Sequence, residues 1–258
     1  MKKLFDRAHS SLRLKRTTEL GKGVLQTTLD LVYPRCCVCC DQPSEEGFFC
    51  ACCPGDNLRI RHPRCEQCSL PVETQGQRRW RCPNCGDEQY AFESVTAAWR
   101  YAGGVRRLVH DLKYRKQRWP VRPLGCLLKV ALEDERLVDQ KFDWIVPVPI
   151  HFLRRLKRGF NQAELLALEV NRLTKVPMLK ALRRFKQTPS QTQLSRAERK
   201  ANLANSLAVR SHAKIRLAGA CCLLVDDVLT TCSTMHACAT LLRDGGARQV
   251  IGLVVARS

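Results

Sequence analysis

Leu223-Leu224-Val225-Asp226-Asp227-Val228-Leu229-Thr230-Thr231-Cys232-Ser233-Thr234 is the stretch from which the rest of the chain can be read. An apolar run, begun at Cys221 and Cys222, ends in two adjacent carboxylates. A loop rich in hydroxyls follows, and then a predicted helix over residues 235–243. A buried strand that delivers acidic side chains at its carboxyl end belongs to an open parallel α/β sheet, where ligands bind. Side chains alternate along a strand, and the turn at its end is expected to bring both carboxylates toward ribose hydroxyls or a magnesium ion. Loop amides and a helix N-terminus suit a phosphate. Asp226, Asp227, Thr230, Thr231, Cys232, Ser233 and Thr234 therefore form a candidate sugar-phosphate cradle. Ser233 and Thr234 are read as helix caps and phosphate donors. The plain alternative is a strand, an Asx-type turn and a capped helix with no ligand.

Working outward, the surrounding sequence repeats the same texture. Residues 95–101, 144–150, 221–225 and 250–256 read as buried strands. Residues 105–114, 124–132, 162–173 and 235–243 read as helices. Strands alternating with helices predict an α/β fold with a parallel sheet flanked by helices. Residues 183–200 are polar, basic and without period, and read as a long mobile loop or lid. Residues 1–32 read as a frayed basic segment entering a short helix.

Residues 33–90 differ: ten Pro and Gly residues punctuate them, which leaves little room for a hydrophobic core. Eleven of the sixteen cysteines lie between Cys36 and Cys85. Four Cys-x-x-Cys pairs stand in order: Cys37/Cys40, Cys50/Cys53, Cys65/Cys68 and Cys82/Cys85. Each pair offers two thiolates from one tight knuckle, so two pairs close one tetrahedral zinc site and four pairs close two. Four thiolates leave no position for water, so both zinc sites are read as structural, holding a segment that lacks a core. Cys36/Cys39 has the same spacing as Cys37/Cys40 and competes with it for the first knuckle. Free or disulfide-bonded thiols are the alternative to zinc.

The chain carries 44 Lys and Arg against 24 Asp and Glu, a formal net charge of +20. Residues 141–200 hold fourteen basic and four acidic residues, a net +10. Such a block suits a polyanion: nucleic acid, pyrophosphate or a phosphorylated metabolite. A solvated basic surface is the plain alternative. Within it, Arg155, Arg158 and Gly159 are candidate pyrophosphate ligands, because a glycine breaks the basic cluster just before a helix. No run of about 18 apolar residues is present, so no membrane span is expected. The first 33 residues lack the continuous apolar stretch of a secretory signal, and a cytoplasmic location is expected.

Asp-Asp-Val-Leu-Thr-Thr-Cys-Ser-Thr resembles the phosphoribosyl pyrophosphate (PRPP) loop of type I phosphoribosyltransferases. With the four cysteine pairs, Tyr101-Ala102 through Leu112-Lys113-Tyr114, Val146-Pro147-Val148-Pro149, Arg158-Gly159-Phe160-Asn161-Gln162, and Gln191-Thr192-Gln193-Leu194 with Arg199 and Asn202, the chain from about residue 33 to 257 is similar to the ComF family. That resemblance implies a double zinc ribbon over 33–90 and a phosphoribosyltransferase-like domain over 91–258, with the basic segment 1–32 outside it. It also implies PRPP with magnesium as ligand and a link to DNA uptake and natural transformation. If the protein is an enzyme, the chemistry is displacement at the ribose anomeric carbon with pyrophosphate leaving. The rival is a non-catalytic protein that binds single-stranded nucleic acid, its PRPP site vestigial or regulatory. One position departs from the pattern: the family has glycine where this chain has Cys232. A β-carbon there is expected either to narrow the pocket or to force the loop out of a left-handed conformation, and so to alter phosphate affinity.

Overall fold

The computed structural model describes residues 36–44, 48–50, 52, 53, 55–72, 81–86, 88–186 and 205–258. The readings for residues 1–32, for the basic loop beyond residue 186, and for the block at Gln191–Leu194, Arg199 and Asn202 fall outside the described residues. Two compact units divide the chain, Met1–Cys53 and Pro54–Ser258.

The larger unit is built on four parallel strands in the order β1-β6-β5-β2. Strand β1 is Val95–Arg100, β2 Trp144–Pro147, β5 Cys221–Leu229 and β6 Gln249–Arg257. A three-residue antiparallel pair, β3 (Leu182–Arg184) and β4 (Leu207–Val209), lies apart from it. The helices are α1 (Gly103–Tyr114), α2 (Val121–Leu132), α3 (Glu135–Val138), α4 (Phe152–Arg158), α5 (Gln162–Thr174), α6 (Lys214–Leu217) and α7 (Ser233–Asp244).

Every residue from Cys221 to Val225 is fully buried, as a central strand covered on both faces requires. Alternation sends Cys222 and Leu224 into one cluster with Met235, Cys238 and Leu242 of α7. On the other side α2 packs on β1 and β6, and α5 packs on β2 and β5. In β6, a Cβ at Gly252 would stand 2.8 Å from a Val95 methyl, so only glycine lets β1 lie this close.

Two expectations about the elements are corrected. β5 does not stop at Val225: β6 continues beside it, pairing Asp226 with Val254 and Leu229 with Arg257. The carboxylates thus lie inside a strand. β2 is shorter than the 144–150 expected, because Pro147 and Pro149 cannot continue a ladder. Its last backbone bond is Val148 N–H to the Val225 carbonyl, at 2.9 Å. Past that point β5 has a neighbour on one side only, and a crevice opens beside residues 226–229. Residues 183–200 begin in β3, where Arg184 stands opposite Leu207 and the Phe185 N–H just beyond donates to the Ser206 carbonyl at 2.9 Å.

Candidate functional site

Because β5 runs on as a strand, Asp226 and Asp227 face opposite sides of the sheet. Asp226 is partly exposed and lines a cavity with Val228, Leu229, Thr230, Cys232, Ser233 and Thr234. Asp227 is 3% exposed and pairs with Lys113 of α1 at 2.8 Å. Each carboxylate also turns back on the chain. Asp226 Oδ1 accepts the Asp227 N–H at 2.9 Å, and Asp227 Oδ1 accepts the Val228 N–H at 2.8 Å. Burial pushes the Asp226 carboxyl up to about 8, and the charge of Asp227 adds to this while Lys113 opposes it. Burial alone would lower the Lys113 ammonium, but Asp227 more than offsets that and holds it charged. The two acids therefore divide: Asp227 is paired with a lysine, and Asp226, its carboxyl pushed up, lines the cavity.

Loop residues 230–234 lead from this edge into α7. The helix begins at Ser233, not Met235, so Ser233 and Thr234 sit in its first turn. The residue at the cap is Cys232, whose side chain makes no capping bond. No acidic residue stands in that first turn, so the positive end of the helix dipole is left to a ligand. Thr231 and Ser233 hydroxyls lie 3.0 Å apart.

Cys232 keeps the left-handed conformation of a glycine, with φ +62°. A β-carbon in that region costs about 1–2 kcal/mol. Of the two outcomes expected for this substitution, the loop has not been forced out of the left-handed region. The side chain turns inward and is 2% exposed. There the Asn84 amide donates to its sulfur at 3.1 Å. The neighbouring Cys68, and then burial, push the Cys232 thiol well up.

The eight predicted cysteines gather into two sets, Cys37, Cys40, Cys50 and Cys53, and Cys65, Cys68, Cys82 and Cys85. Within each set the sulfurs lie within 4.8 Å of one another. Cys40 and Cys50 sulfurs are 3.6 Å apart, Cys68 and Cys82 3.7 Å, Cys65 and Cys85 4.0 Å. A tetrahedral ion with bonds of about 2.3 Å sets sulfurs about 3.8 Å apart, so either set could hold one. Cys37/Cys40 supplies the first knuckle, while Cys36 makes a bridge to Pro43.

The basic block is less open than its composition suggests. Arg155 pairs with Glu164 at 3.2 Å, and Lys180 with the same carboxylate at 2.9 Å. Together with Arg183, Arg184 and Arg210 they line a cleft beside the exit of β2. Gly159 closes α4 in a left-handed turn, φ +83°, with its N–H on the Arg155 carbonyl at 2.7 Å. Asn161 caps α5 through the Ala163 N–H and donates to the Val148 carbonyl at 3.0 Å. The Arg-Gly-Phe-Asn-Gln block thus anchors α5 to the end of β2. His151 caps α4.

The sequence assigns no site role to Lys113 or Asn84. Lys113 stands in a block that carries the family resemblance, but it lies near the end of an amphipathic helix, and its pairing with Asp227 is visible only in the fold. Asn84 lies inside a Cys-x-x-Cys knuckle, where the two intervening residues carry no signal of their own. A third group emerges from distant segments. The Arg158 guanidinium lies over the Tyr114 ring at 5.6 Å, Arg118 lies over Phe160 at 5.3 Å, and Trp119 is exposed beside them in sequence.

Residues 135–258 match the Phosphoribosyl transferase domain family. The chain is 32% identical over 205 residues to Competence protein F of Haemophilus influenzae, covering 77% of this chain and 86% of that protein. It is 30% identical over 225 residues to DNA utilization protein YhgH of Escherichia coli, covering 85% and 96%. Among solved structures, adenine phosphoribosyltransferase from Saccharomyces cerevisiae superposes with a TM-score of 0.36 at 16% identity, over 56% of this chain and 72% of that one.

Proposed function

The chain belongs to the ComF family, and from that premise we propose that it binds PRPP, or a related ribose phosphate, with magnesium at the crevice beside β5. The observation that carries the reading is Asp226, the one carboxylate of the pair turned to a cavity that the hydroxyl loop and the N-terminus of α7 also line.

The 5′-phosphate sits at the loop, held by its amides and by Thr230, Thr231, Ser233 and Thr234. Asp226 faces the ribose hydroxyls. Asp227 stays with Lys113 and keeps the strand edge from carrying two adjacent negative charges. Magnesium, when bound with the ligand, neutralises pyrophosphate oxygens. Arg158 and the Gly159 turn receive the pyrophosphate, and Arg155 joins them by releasing Glu164. Zinc is the ion proposed for both cysteine sets, since four thiolates in a tetrahedron select it. The relatives are named for competence and for DNA utilization, and nucleic-acid handling, in the cytoplasm, is proposed for this chain. Among the described residues no helix is long and apolar enough to cross a membrane.

Isothermal titration with PRPP and Mg²⁺ tests the reading, with Asp226→Asn as control. Saturable heat lost in the variant supports it, and silence from the native protein overturns it.

A second reading, single-stranded nucleic-acid binding, is favoured by one observation: exposed Tyr114 lies under Arg158, with exposed Trp119 a few residues on in sequence. Rings among cations are what bases stack upon. Tyr114→Ala with Trp119→Ala should weaken oligonucleotide binding by about 1–3 kcal/mol per lost stack, read by fluorescence anisotropy at fixed salt. Equal affinity in the variant would leave only nonspecific charge.

A further inference from the structure

The segment that carries the second cysteine set meets α7 at two places. Asn84, inside the Cys82/Cys85 knuckle, donates to Cys232 at 3.1 Å and stands 3.9 Å from the Cys85 sulfur, so one amide bridges the loop and the cluster. Further along, the Ala91 N–H donates to His236 Nδ1 at 3.1 Å, and Tyr90 packs edge-on against the same imidazole at 5.5 Å. Cys232 caps α7 and His236 lies in its first turns, so the phosphate loop and the thiol cluster share one set of contacts. All four thiols of this set are buried, in one apolar cluster with Cys232 and Met235.

A ligand thiolate that accepts a hydrogen bond is held in place by its donor, and such donors are part of a metal site. A residue in a disfavoured backbone region persists only where its surroundings over-determine it. Cys232 joins the two conditions: its sulfur fixes the Asn84 amide that also reaches the Cys85 sulfur, and that attachment holds its own backbone at φ +62°. Glycine would permit the same turn but offer no sulfur to that amide.

We propose that Cys232 is a positioning residue that makes the metal cluster Cys65, Cys68, Cys82 and Cys85 and the phosphate loop one coupled unit, so that zinc in the cluster tightens phosphate-ligand binding at the loop and the ligand in turn retains zinc. The inference rests on the reading of the loop as a ribose-phosphate site. Reciprocity follows from linkage: each ligand changes the other's affinity by the same factor.

The test is zinc release from the zinc-loaded 258-residue chain to a chromogenic chelator, with and without PRPP and Mg²⁺. In Cys232→Ala the slow phase, from the buried cluster, should accelerate about 10–100-fold, as losing an outer-shell partner does. Cys232→Ser, which keeps an acceptor for the Asn84 amide, should recover most of the loss, and circular dichroism checks that both variants fold. In the native chain PRPP should slow this phase and leave the fast one unchanged. A slow phase that is the same in Cys232→Ala and the native chain overturns the coupling, as does PRPP that binds without slowing it. If the native chain binds no PRPP, the functional reading fails by itself, and the comparison of Cys232→Ala with the native chain still decides whether Cys232 supports the cluster.

Discussion

The two cysteine sets share a ligand type and a knuckle, yet they are set into the protein differently. In the first, Cys37 is buried while Cys40 is exposed and Cys50 and Cys53 are partly so. Its knuckle is closed by short-range bonds: Cys37 N–H to the Gln42 carbonyl, Asp41 N–H to the Cys37 carbonyl, Val38 N–H to the Phe48 carbonyl. In the second all four thiols are buried and the knuckle is built into the sheet. The Val95 N–H donates to the Gln67 carbonyl, and the Ser69 hydroxyl donates to the Val95 carbonyl while accepting the Ala97 N–H. Arg136 adds bonds to the Glu66 carbonyl and to Ser69. Spacing specifies a metal site. What the site does is set by what packs around it: the first organises its own small loop, the second is part of the core that positions α7.

The sharpest way to break this contrast is to delete one ligand from each set. Cys68→Ala should abolish cooperative unfolding of the larger unit, because structural zinc contributes about 10–16 kcal/mol, as much as a domain's whole stability. Cys40→Ala should leave the melting of that unit in place, as followed by near-ultraviolet circular dichroism. Equal losses would mean that the two sets are equivalent.

The next effect lies at the strand edge that the second set helps to frame. Asp227→Asn leaves the Lys113 ammonium half-buried and unpaired, and about 3–5 kcal/mol should be lost in urea unfolding. Lys113→Met with Asp227→Asn should recover much of it. A single variant as stable as the native protein would show that the pair carries no structural weight.

Paired serines sharpen the comparison on a smaller scale. Ser69→Ala strands a backbone N–H and a carbonyl of β1, and should cost about 1–3 kcal/mol. Ser44→Ala, whose hydroxyl donates to the Phe49 carbonyl in the first set, should cost about 0.5–1.5 kcal/mol. The reverse order would place the tighter knuckle in the wrong unit.

A pH slope tests the same strand edge in another way. The Asp226 carboxyl titrates near 8 in the folded chain against 3.8 in the open one. From pH 4 to 8 the unfolded chain therefore binds fewer protons, and stability contributed at low pH is lost as pH rises through that window. Asp226→Asn should flatten the slope in urea titrations at pH 4, 6 and 8. Parallel slopes in the two proteins would remove Asp226 from the account. Cation binding should likewise release a proton at pH 7, seen as a dependence of titration heat on buffer ionisation.

Much of this was legible in the sequence, for physical reasons. Buried strands such as 221–225 are continuous apolar runs, and a parallel sheet demands them. Cysteine pairs announce a metal through spacing alone. The extension of β5 to Leu229 was not legible, because two aspartates interrupt the apolar run while the partner strand β6 continues. The separate faces of Asp226 and Asp227 follow from that extension. The embedding of the second knuckle was hidden too, since it runs through backbone groups of Gln67 and Val95, which every residue possesses. The position of Cys232 was conspicuous, but its partner Asn84 lies 148 residues away and leaves no local trace.

The central claim is that the crevice beside β5 holds a ribose phosphate, with Asp226 as its open carboxylate. Its most direct test is isothermal titration of the zinc-loaded 258-residue chain with PRPP in the presence of Mg²⁺. The account predicts one saturable site per chain, lost in Asp226→Asn while that variant remains folded. No heat from the native chain, or undiminished binding in the variant, would contradict it.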